Sequence, residues 1–514
     1  MLYLAFASCL ATSAAHVLHV HSQPLALLVR DPAITTPKYL VLMVLDGARP
    51  DYLGLTSLPH VDALRNAGTQ FTNAVDGILE AETPAGHATI ATGSRPARDG
   101  ILGFDWAANS SDSYSLFSPD QMGALEAILQ QTHVPTLAGL YKQRFPTAKV
   151  VALSGHKYYA AAPLGGPAAD AIMYYQGDPK GHYVPVAVPG HVPPASVLNA
   201  PGVSLPTTHL SDGGENHLAT KLALAAVQQM HPRMLLINYP EFDWPLGHVD
   251  GGNLDPAKVT IDMKQLDTDL GAIEDAYQRA GILNQTLFVI TADHGMMPIT
   301  HFIPPSEINN AVAQAGTTSP DLAENTADYI WLADPTKAQT VAQNVVNLHD
   351  SAIQSAYYLT ETNGQPHYVA ANPGALTAQQ EAANQYLLSG LINGHQPAVV
   401  VFAVEGATFS DPKSGWKGDH GGNTWDSQHI PLILSGPGIH PGVTSDAPVQ
   451  LDDVAPTVLT DMGVAPTGME GHAVTDILAS SSAADRRARN TEIAQLGPVV
   501  QALMDHTTQQ ADRP

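Results

Sequence analysis

An aspartate and a histidine stand side by side in Thr291-Ala292-Asp293-His294-Gly295, directly after the apolar run Leu287-Phe288-Val289-Ile290. A short apolar run bounded by polar residues predicts a buried strand. Sites of open α/β sheets form at the carboxyl ends of their strands. The pair is therefore placed to hold a metal through one oxygen and one nitrogen, a donor set that suits zinc. Asp-His pairs are also ordinary loop residues, so the weight comes from what other strands bring to the same edge. Asp46 ends the apolar run Tyr39 to Leu45 and precedes Gly47, a pattern a plain turn also produces. Asp243 and His248 follow the run Met234 to Tyr239, with Glu241 and Asp250 as alternative acids beside them. His420 lies in Gly418-Asp419-His420-Gly421-Gly422, ahead of an apolar stretch that begins at Ile430, with His429 as a second imidazole nearby.

Thr83 opens the segment Thr83-Pro84-Ala85-Gly86-His87-Ala88. A threonine just before a proline that starts a helix is well placed as an N-cap. The chemical alternative is that its hydroxyl is a nucleophile. A helix N-terminus stabilises negative charge and can host a phosphoryl group, and a metal ion lowers a hydroxyl's pKa.

These residues need a scaffold that brings strand ends together. Strands are predicted over Tyr39 to Leu45, Lys149 to Leu153, Met234 to Tyr239, Thr286 to Thr291, Ala398 to Val404 and Ile430 to Ser435. Between them lie amphipathic stretches. The clearest runs from about Ala257 to Ala280, with Val259, Met263, Leu266, Leu270 and Ile273 at helical spacing and Pro256 suited to the first turn. This alternation predicts an α/β fold, with a mostly parallel central sheet covered by helices on both faces. Residues 160–210, rich in Gly and Pro, read as a long excursion or lid over one sheet edge. Residues 300–415 read as an inserted smaller αβ cap, leaving 38–300 and 415–480 as the core. Residues 481–514 read as a polar tail, helical or frayed.

Bulk composition narrows the partners. The 514 residues carry a net charge of −25, from 23 basic and 48 acidic residues. Such a surface repels nucleic-acid polymers but admits a small phosphorylated substrate, because bound cations reverse the local sign. Hydrophobic content of 44% with 42 Gly and 40 Pro fits a loop-rich globular enzyme. Cys9 is the one cysteine, so a disulfide framework and a thiolate zinc site are excluded. Any metal must be held by Asp, Glu, His or hydroxyl groups. Residues 1–30 are read as a leader segment. The first fifteen are apolar and small, like the core and cleavage end of a signal peptide, and predict export to the periplasm or outside the cell. Such a peptide normally starts with basic residues, so their lack points to a start further upstream. Phe6 disfavours a lipoprotein box at Cys9. No other stretch is long and apolar enough for a spanning helix.

Taken in order, Asp46, Thr83, Asp243 with His248, Asp293-His294 and His420 form a set that resembles the alkaline phosphatase superfamily. It looks most like the type I phosphodiesterase/nucleotide pyrophosphatase group and its related monoesterases with a threonine nucleophile. Leu451-Asp452-Asp453-Val454-Ala455-Pro456-Thr457 and Gly468-Met469-Glu470-Gly471 resemble that superfamily's closing helix and turn. The resemblance implies two divalent metal ions, zinc by the donor set. Asp46, Thr83, Asp293 and His294 would hold one, and Asp243, His248 and His420 the other. It implies a hydrolase of phosphoric esters acting through a phosphothreonine intermediate, with in-line displacement between two metals.

The sequence departs from the family pattern in three places. Phe104 stands where an asparagine grips a phosphoryl oxygen. Lys157 of the monoesterases' Lys-x-Arg pair is kept, but Tyr159 replaces the arginine. Both changes favour diester or pyrophosphate cleavage over monoester cleavage, with Phe104 and Tyr159 facing the substrate; Phe104 is equally well explained as a packed aromatic. The Asp243 to His248 spacing is also one residue longer than usual, which a bulge at Pro245 would absorb. A sulfatase, which needs Cys or Ser followed by Pro and Arg, does not fit Thr83, and a membrane phosphoethanolamine transferase needs spanning helices. The competing reading is a non-catalytic metal- or ligand-binding protein on the same fold, for which Thr83 would have no use.

Overall fold

The computed structural model describes residues 36–107, 113–118, 121–177, 182–199, 205–206, 213–319 and 321–511. The leader segment lies outside them. Its centre is a ten-stranded sheet. In chain order the strands are β1 (Tyr39–Leu45), β2 (Thr69–Phe71), β3 (Val150–Ser154), β4 (Ala171–Gly177), β5 (His182–Ala187), β6 (Leu205–Pro206), β7 (Met234–Tyr239) and β8 (Thr286–Thr291), then, after an insertion, β14 (Leu432–Ser435) and β15 (Val443–Ser445). Their spatial order is β15-β2-β14-β8-β1-β7-β3-β4-β5-β6. The five middle strands, β8 to β4, are all parallel. Antiparallel partners are added on both sides, at β14 and at β5–β6. The sheet is thus mixed at its flanks and parallel where the chemistry sits.

Continuous apolar sequence explains the middle. Leu40–Leu45 and Met234–Tyr239 are buried at every residue, which requires cover on both faces and suits parallel strands. The helix Pro256–Arg279 supplies part of that cover. Asp255 caps it by accepting from the Lys258 amide at 3.3 Å, proline occupies its first turn, and Val259, Met263, Leu266, Leu270 and Ile273 are buried along one stripe.

Two regions differ from their sequence reading. The 160–210 stretch is not a lid. Its described part enters the sheet, with β4 parallel to β3 and β5 folded back on β4. Gly and Pro there mark turns between edge strands. The tail, read as polar and helical or frayed, is helical over Ala483–Ala511; it differs in that its Leu496, Val499, Val500 and Leu503 are buried. The stripe is too sparse to stand out among polar neighbours.

The insertion has a sheet of its own, wholly antiparallel, built from β9 (Asp321–Glu324), β10 (Ala327–Trp331), β11 (Ile353–Thr362), β12 (Gln365–Ala370) and β13 (Val399–Ala403) in the order β9-β10-β13-β11-β12. Its residues alternate between two cores. Ile330, Val399 and Val401 pack with Ile308, Val312, Val341 and Val345 of two helices. Tyr329, Val400 and Phe402 belong to a cluster with Leu387, Leu496, Phe104 and Trp106. The chain leaves for the insertion and returns from it along paired strands, Met297–Pro298 with Gly418–Asp419 and then His301–Ile303 with Ala407–Phe409. Among the described residues no helix is long and apolar enough to cross a membrane.

Candidate functional site

Register brings the candidate residues level. Val44 lies opposite Asn238 on one side and Thr291 on the other. Asp46, the Pro240 turn and Asp293 therefore leave neighbouring strands at the same height, and Lys157 follows β3 just beyond Ser154. Close approach of these loops needs glycine. A Cβ on Gly47, whose φ is +76°, would lie 2.9 Å from the Asp243 Cα, and one on Gly86 would lie 2.7 Å from the Asp293 Cβ.

Thr83 is the first residue of the helix Thr83–Thr92, and the preceding Glu82 makes no side-chain cap. The threonine hydroxyl does not cap the helix either. It donates to Asp46 Oδ1 at 3.3 Å, with the Lys157 Nζ at 3.5 Å. The Lys157 ammonium bridges two carboxylates, Asp46 Oδ1 at 2.9 Å and Asp243 Oδ2 at 2.5 Å. Asp243 Oδ1 in turn approaches His248 Nε2 at 3.1 Å and His420 Nε2 at 3.4 Å. His294 Nε2 lies 3.6 Å from both Asp46 Oδ1 and Asp293 Oδ2. The extra residue between Asp243 and His248 is absorbed in a widened turn: the amides of Leu246 and His248 reach back five residues, to the carbonyls of Glu241 and Asp243.

The site residues fit metal ligation on two grounds. First, His248, His294 and His420 each place Nδ1 within 3.0 Å of a backbone carbonyl, those of Gly418, Gly295 and Ala81. A carbonyl only accepts, so Nδ1 carries the proton and Nε2 turns a lone pair toward the carboxylates. Second, Asp243 Oδ1, Asp293 Oδ2 and His294 Nε2 are buried without a hydrogen bond of acceptable geometry. Donor atoms of Asp243, His248 and His420 lie within 4.8 Å of one another, as do those of Asp46, Asp243 and His294. A third such group contains Asp46, His87 and Asp293. We read His87 there as a support, because both its nitrogens are engaged. Nδ1 donates to the Thr83 carbonyl at 2.8 Å, and Nε2 accepts from Asn238 at 3.1 Å.

Burial sets the electrostatics. It pushes the Asp46 carboxyl up, reinforced by Asp293 and opposed by Lys157. Burial acts the same way on Asp243, but Lys157 and then His248 overcome it and hold that carboxyl well below its usual range. Asp293 is likewise held down, against burial, by His294 and His87. His420 is pushed down to about 4, by burial and then by His294. Three carboxylates thus face one ammonium in a closed space, an excess of negative charge that invites cations.

The alternative ligands lie elsewhere. Glu241 accepts from the Asn216 amide at 3.0 Å, and Asp250 pairs with Lys258 at 2.6 Å. His429 stacks on Trp425 at 4.1 Å and contacts the Thr72 carbonyl at 2.8 Å. Phe104 packs in a core cluster and also lines a cavity of about 340 Å³ beside the carboxylates. Tyr159, Lys157, Trp244 and Trp416 line the same cavity.

Several residues at the site carried no clear sequence signal. Asn238 donates to Asp46 Oδ2 at 2.7 Å and accepts from the Ser154 hydroxyl at 2.6 Å. Its signal was a polar residue near the end of an otherwise apolar strand. Glu82 and Asn325 line the cavity, and Asn325 comes from the insertion, where nothing in the local sequence marks it.

Comparison with known proteins gives one family and relatives of differing names, among them a calcium-transporting ATPase of Myroides odoratus, 25% identical over 510 residues and covering 82% of this chain and 91% of that one. The profile of the type I phosphodiesterase / nucleotide pyrophosphatase family matches residues 40–423, about three-quarters of the chain. Alkaline phosphatase PhoK of a Sphingomonas species is 28% identical over 342 residues, covering 55% of this chain and 59% of that enzyme, so the chain spans rather more than half of that relative. Among solved structures, wild-type alkaline phosphatase PafA superposes with a TM-score of 0.65 at 17% identity, covering 86% of this chain and 99% of that one. Murine ectonucleotide pyrophosphatase / phosphodiesterase 5 gives 0.59 at 16% identity, with 86% and 100% covered. At these identities the two structures speak for the fold.

Proposed function

The chain belongs to the type I phosphodiesterase/nucleotide pyrophosphatase family, whose members hydrolyse phosphoric esters, and from that premise we propose that it cleaves small phosphorylated substrates with Thr83 as nucleophile. The observation that carries this is the position of the Thr83 hydroxyl. It sits at the positive end of a helix, between Asp46 and Lys157, on the edge where the histidine lone pairs converge.

The residues fit two divalent ions, zinc by their oxygen and nitrogen donors. Asp46, Thr83, Asp293 and His294 are assigned to one, and Asp243, His248 and His420 to the other. When bound, such ions supply charge neutralisation and lower the pKa of a hydroxyl or water. The chain's own groups do the rest. Asp46 orients the Thr83 hydroxyl and takes up its hydrogen bond, and the helix amides and Lys157 receive the phosphoryl charge. The Thr83 Oγ–P bond forms as the P–O bond to the ester alcohol breaks, and the alcohol leaves with a proton. Water then attacks phosphorus and returns Thr83 to its hydroxyl form.

The relatives carry both phosphatase and phosphodiesterase names, so the preference rests on the cavity. Phe104 and Tyr159 place aromatic surface near Lys157. That favours the single charge and bulkier ester of a diester or pyrophosphate over a dianionic monoester. The apolar leader further supports export, which N-terminal sequencing of the protein secreted by an expression host would test.

The test is turnover of 4-nitrophenyl phosphate and bis(4-nitrophenyl) phosphate by the zinc-loaded protein and by Thr83→Ala. Loss of at least about a thousandfold in the variant is expected for a nucleophile. Equal rates would remove Thr83 from that role. Tight metal with no turnover of either ester in the wild type would favour the binding protein.

A further inference from the structure

The loop Gly418-Asp419-His420-Gly421-Gly422 serves two of the candidate ligands at once. His420 belongs to it, and its Gly418 carbonyl lies 3.0 Å from His248 Nδ1, the contact that leaves His248 Nε2 turned toward Asp243. What holds this loop comes from the insertion. Asp419 is buried, and its carboxylate works in two directions: Oδ1 accepts the His420 amide at 2.8 Å, and Oδ2 accepts the hydroxyl of Thr408. The link between β9 and β10, Asn325-Thr326, closes on the other side. The Thr326 amide donates to the His420 carbonyl at 3.2 Å, and the Thr326 hydroxyl donates to the Gly421 carbonyl. His420 is thus fixed at its carbonyl by Thr326 directly, and at its amide by Thr408 through Asp419.

The contact is close. Gly421 and Gly422 both have positive φ, +81° and +66°. A Cβ on Gly421 would lie 2.7 Å from the Asn325 Oδ1, and one on Gly422 would lie 2.5 Å from the Thr326 Oγ1. The two arms of the grip are joined as well, since the Asn325 carbonyl accepts the Phe409 amide at 2.9 Å. Thr326 and Thr408 are buried, so solvent does not reach either hydroxyl. Without Thr408 the Asp419 carboxylate would keep its burial and lose a donor, which is costly. The other ligand set is placed differently. Asp46, Asp293 and His294 follow the ends of β1 and β8, and Asn238 of β7 holds Asp46.

Resting on the two-metal reading above, we propose that Thr326 and Thr408 are positioning residues for the ion assigned to Asp243, His248 and His420, so that the insertion sets the hold on that ion and leaves the other to the central sheet. A partner behind a ligand fixes its orientation, and losing it typically costs about ten- to a hundredfold in metal affinity. Thr408 carries the larger share, because its loss disturbs the Asp419 carboxylate and the His420 amide together.

The experiment measures zinc binding by the full chain in competition with a chromophoric chelator, together with the visible spectrum of the cobalt(II) form. Thr408→Val keeps the shape and removes the hydroxyl. It should weaken one of the two zinc ions by about ten- to a hundredfold and change the other by less than about threefold. Its cobalt spectrum at limiting metal should match that of His420→Ala, in which a ligand of that ion is gone. Thr408→Ser, which retains the hydroxyl, should bring the affinity back to within about threefold of wild type. Two affinities unmoved, equal weakening of both ions, or no rescue by serine would overturn the proposal. Should Thr408→Val fail to fold, Thr326→Val, which keeps the amide and loses the hydroxyl, carries the same prediction. If the wild type binds fewer than two ions, the two-metal reading fails by itself. Amide hydrogen exchange over residues 418–422 in the zinc-free protein then decides the grip: faster exchange in Thr408→Val with wild-type rates in Thr408→Ser supports it, and equal exchange in all three proteins rejects it.

Discussion

The Lys157 ammonium lies 2.5 Å from the Asp243 carboxylate, with both groups buried. Each depends on the other, because a buried charge without a partner is costly. In the metal-free protein Lys157 does for Asp46 and Asp243 what bound cations would do. Lys157→Met should therefore cost the metal-free protein roughly 3 kcal/mol of stability. Zinc should restore most of it, since the carboxylates regain positive charge. Denaturant unfolding with and without zinc checks this. A loss of the same size under both conditions would mean that Lys157 contributes packing rather than charge.

Asn238 fixes Asp46 from behind while itself held by Ser154 and His87. Removing such a support costs ten- to a hundredfold in metal affinity for comparable sites. Asn238→Ala should weaken zinc binding by about that factor, with kcat falling less once zinc is saturating. Zinc titration with a competing chelator gives the affinity directly, and an unchanged value would leave Asn238 a strand residue only.

Phe104 occupies the cavity wall in a place where the family resemblance expects an amide. Phe104→Asn should raise the ratio of monoester to diester turnover by about tenfold, the worth of one phosphoryl hydrogen bond. Steady-state rates on 4-nitrophenyl phosphate and its bis ester give the ratio. No change would assign Phe104 to the core alone.

His429 offers a pH signature away from the ligands. Burial pushes its imidazole down to about 4, below the ordinary value of about 6.5 that the unfolded chain would show. Its contribution to stability is complete above about 6.5 and is lost as pH falls toward 4, because the unfolded state takes up the proton first. His429→Gln should flatten the stability profile across that window by up to about 2 kcal/mol, leaving bound zinc unchanged. Parallel profiles for the two proteins would exclude the group as the cause.

Much of this site was legible because its residues stand at strand ends. Asp46, Asp243 and Asp293 follow apolar runs whose burial on both faces made them unmistakable strands. The choice of His420 over His429 came from the family's His-Gly pair, and the geometry separates the two. What the sequence could not show depends on distance. Asn325 reaches the cavity from the insertion and Phe117 from a loop beyond β2, and neither has local periodicity to announce it. The 160–210 stretch misled for the opposite reason: glycine and proline mark turns between edge strands as well as they mark a lid. Thr83 at a helix start was plain, but only the position of Asp46 shows where its hydroxyl points.

The insertion departs from the main body and returns to it through strands that lie side by side, at Met297–Pro298 with Gly418–Asp419 and at His301–Ile303 with Ala407–Phe409. Everything between them enters and exits by one doorway. The room behind it also braces one jamb, the one that carries His420: the Thr326 amide donates to the His420 carbonyl and the Thr408 hydroxyl to Asp419. Bond-breaking and substrate choice are therefore coupled: the segment that supplies Asn325 to the cavity also holds the loop that carries His420.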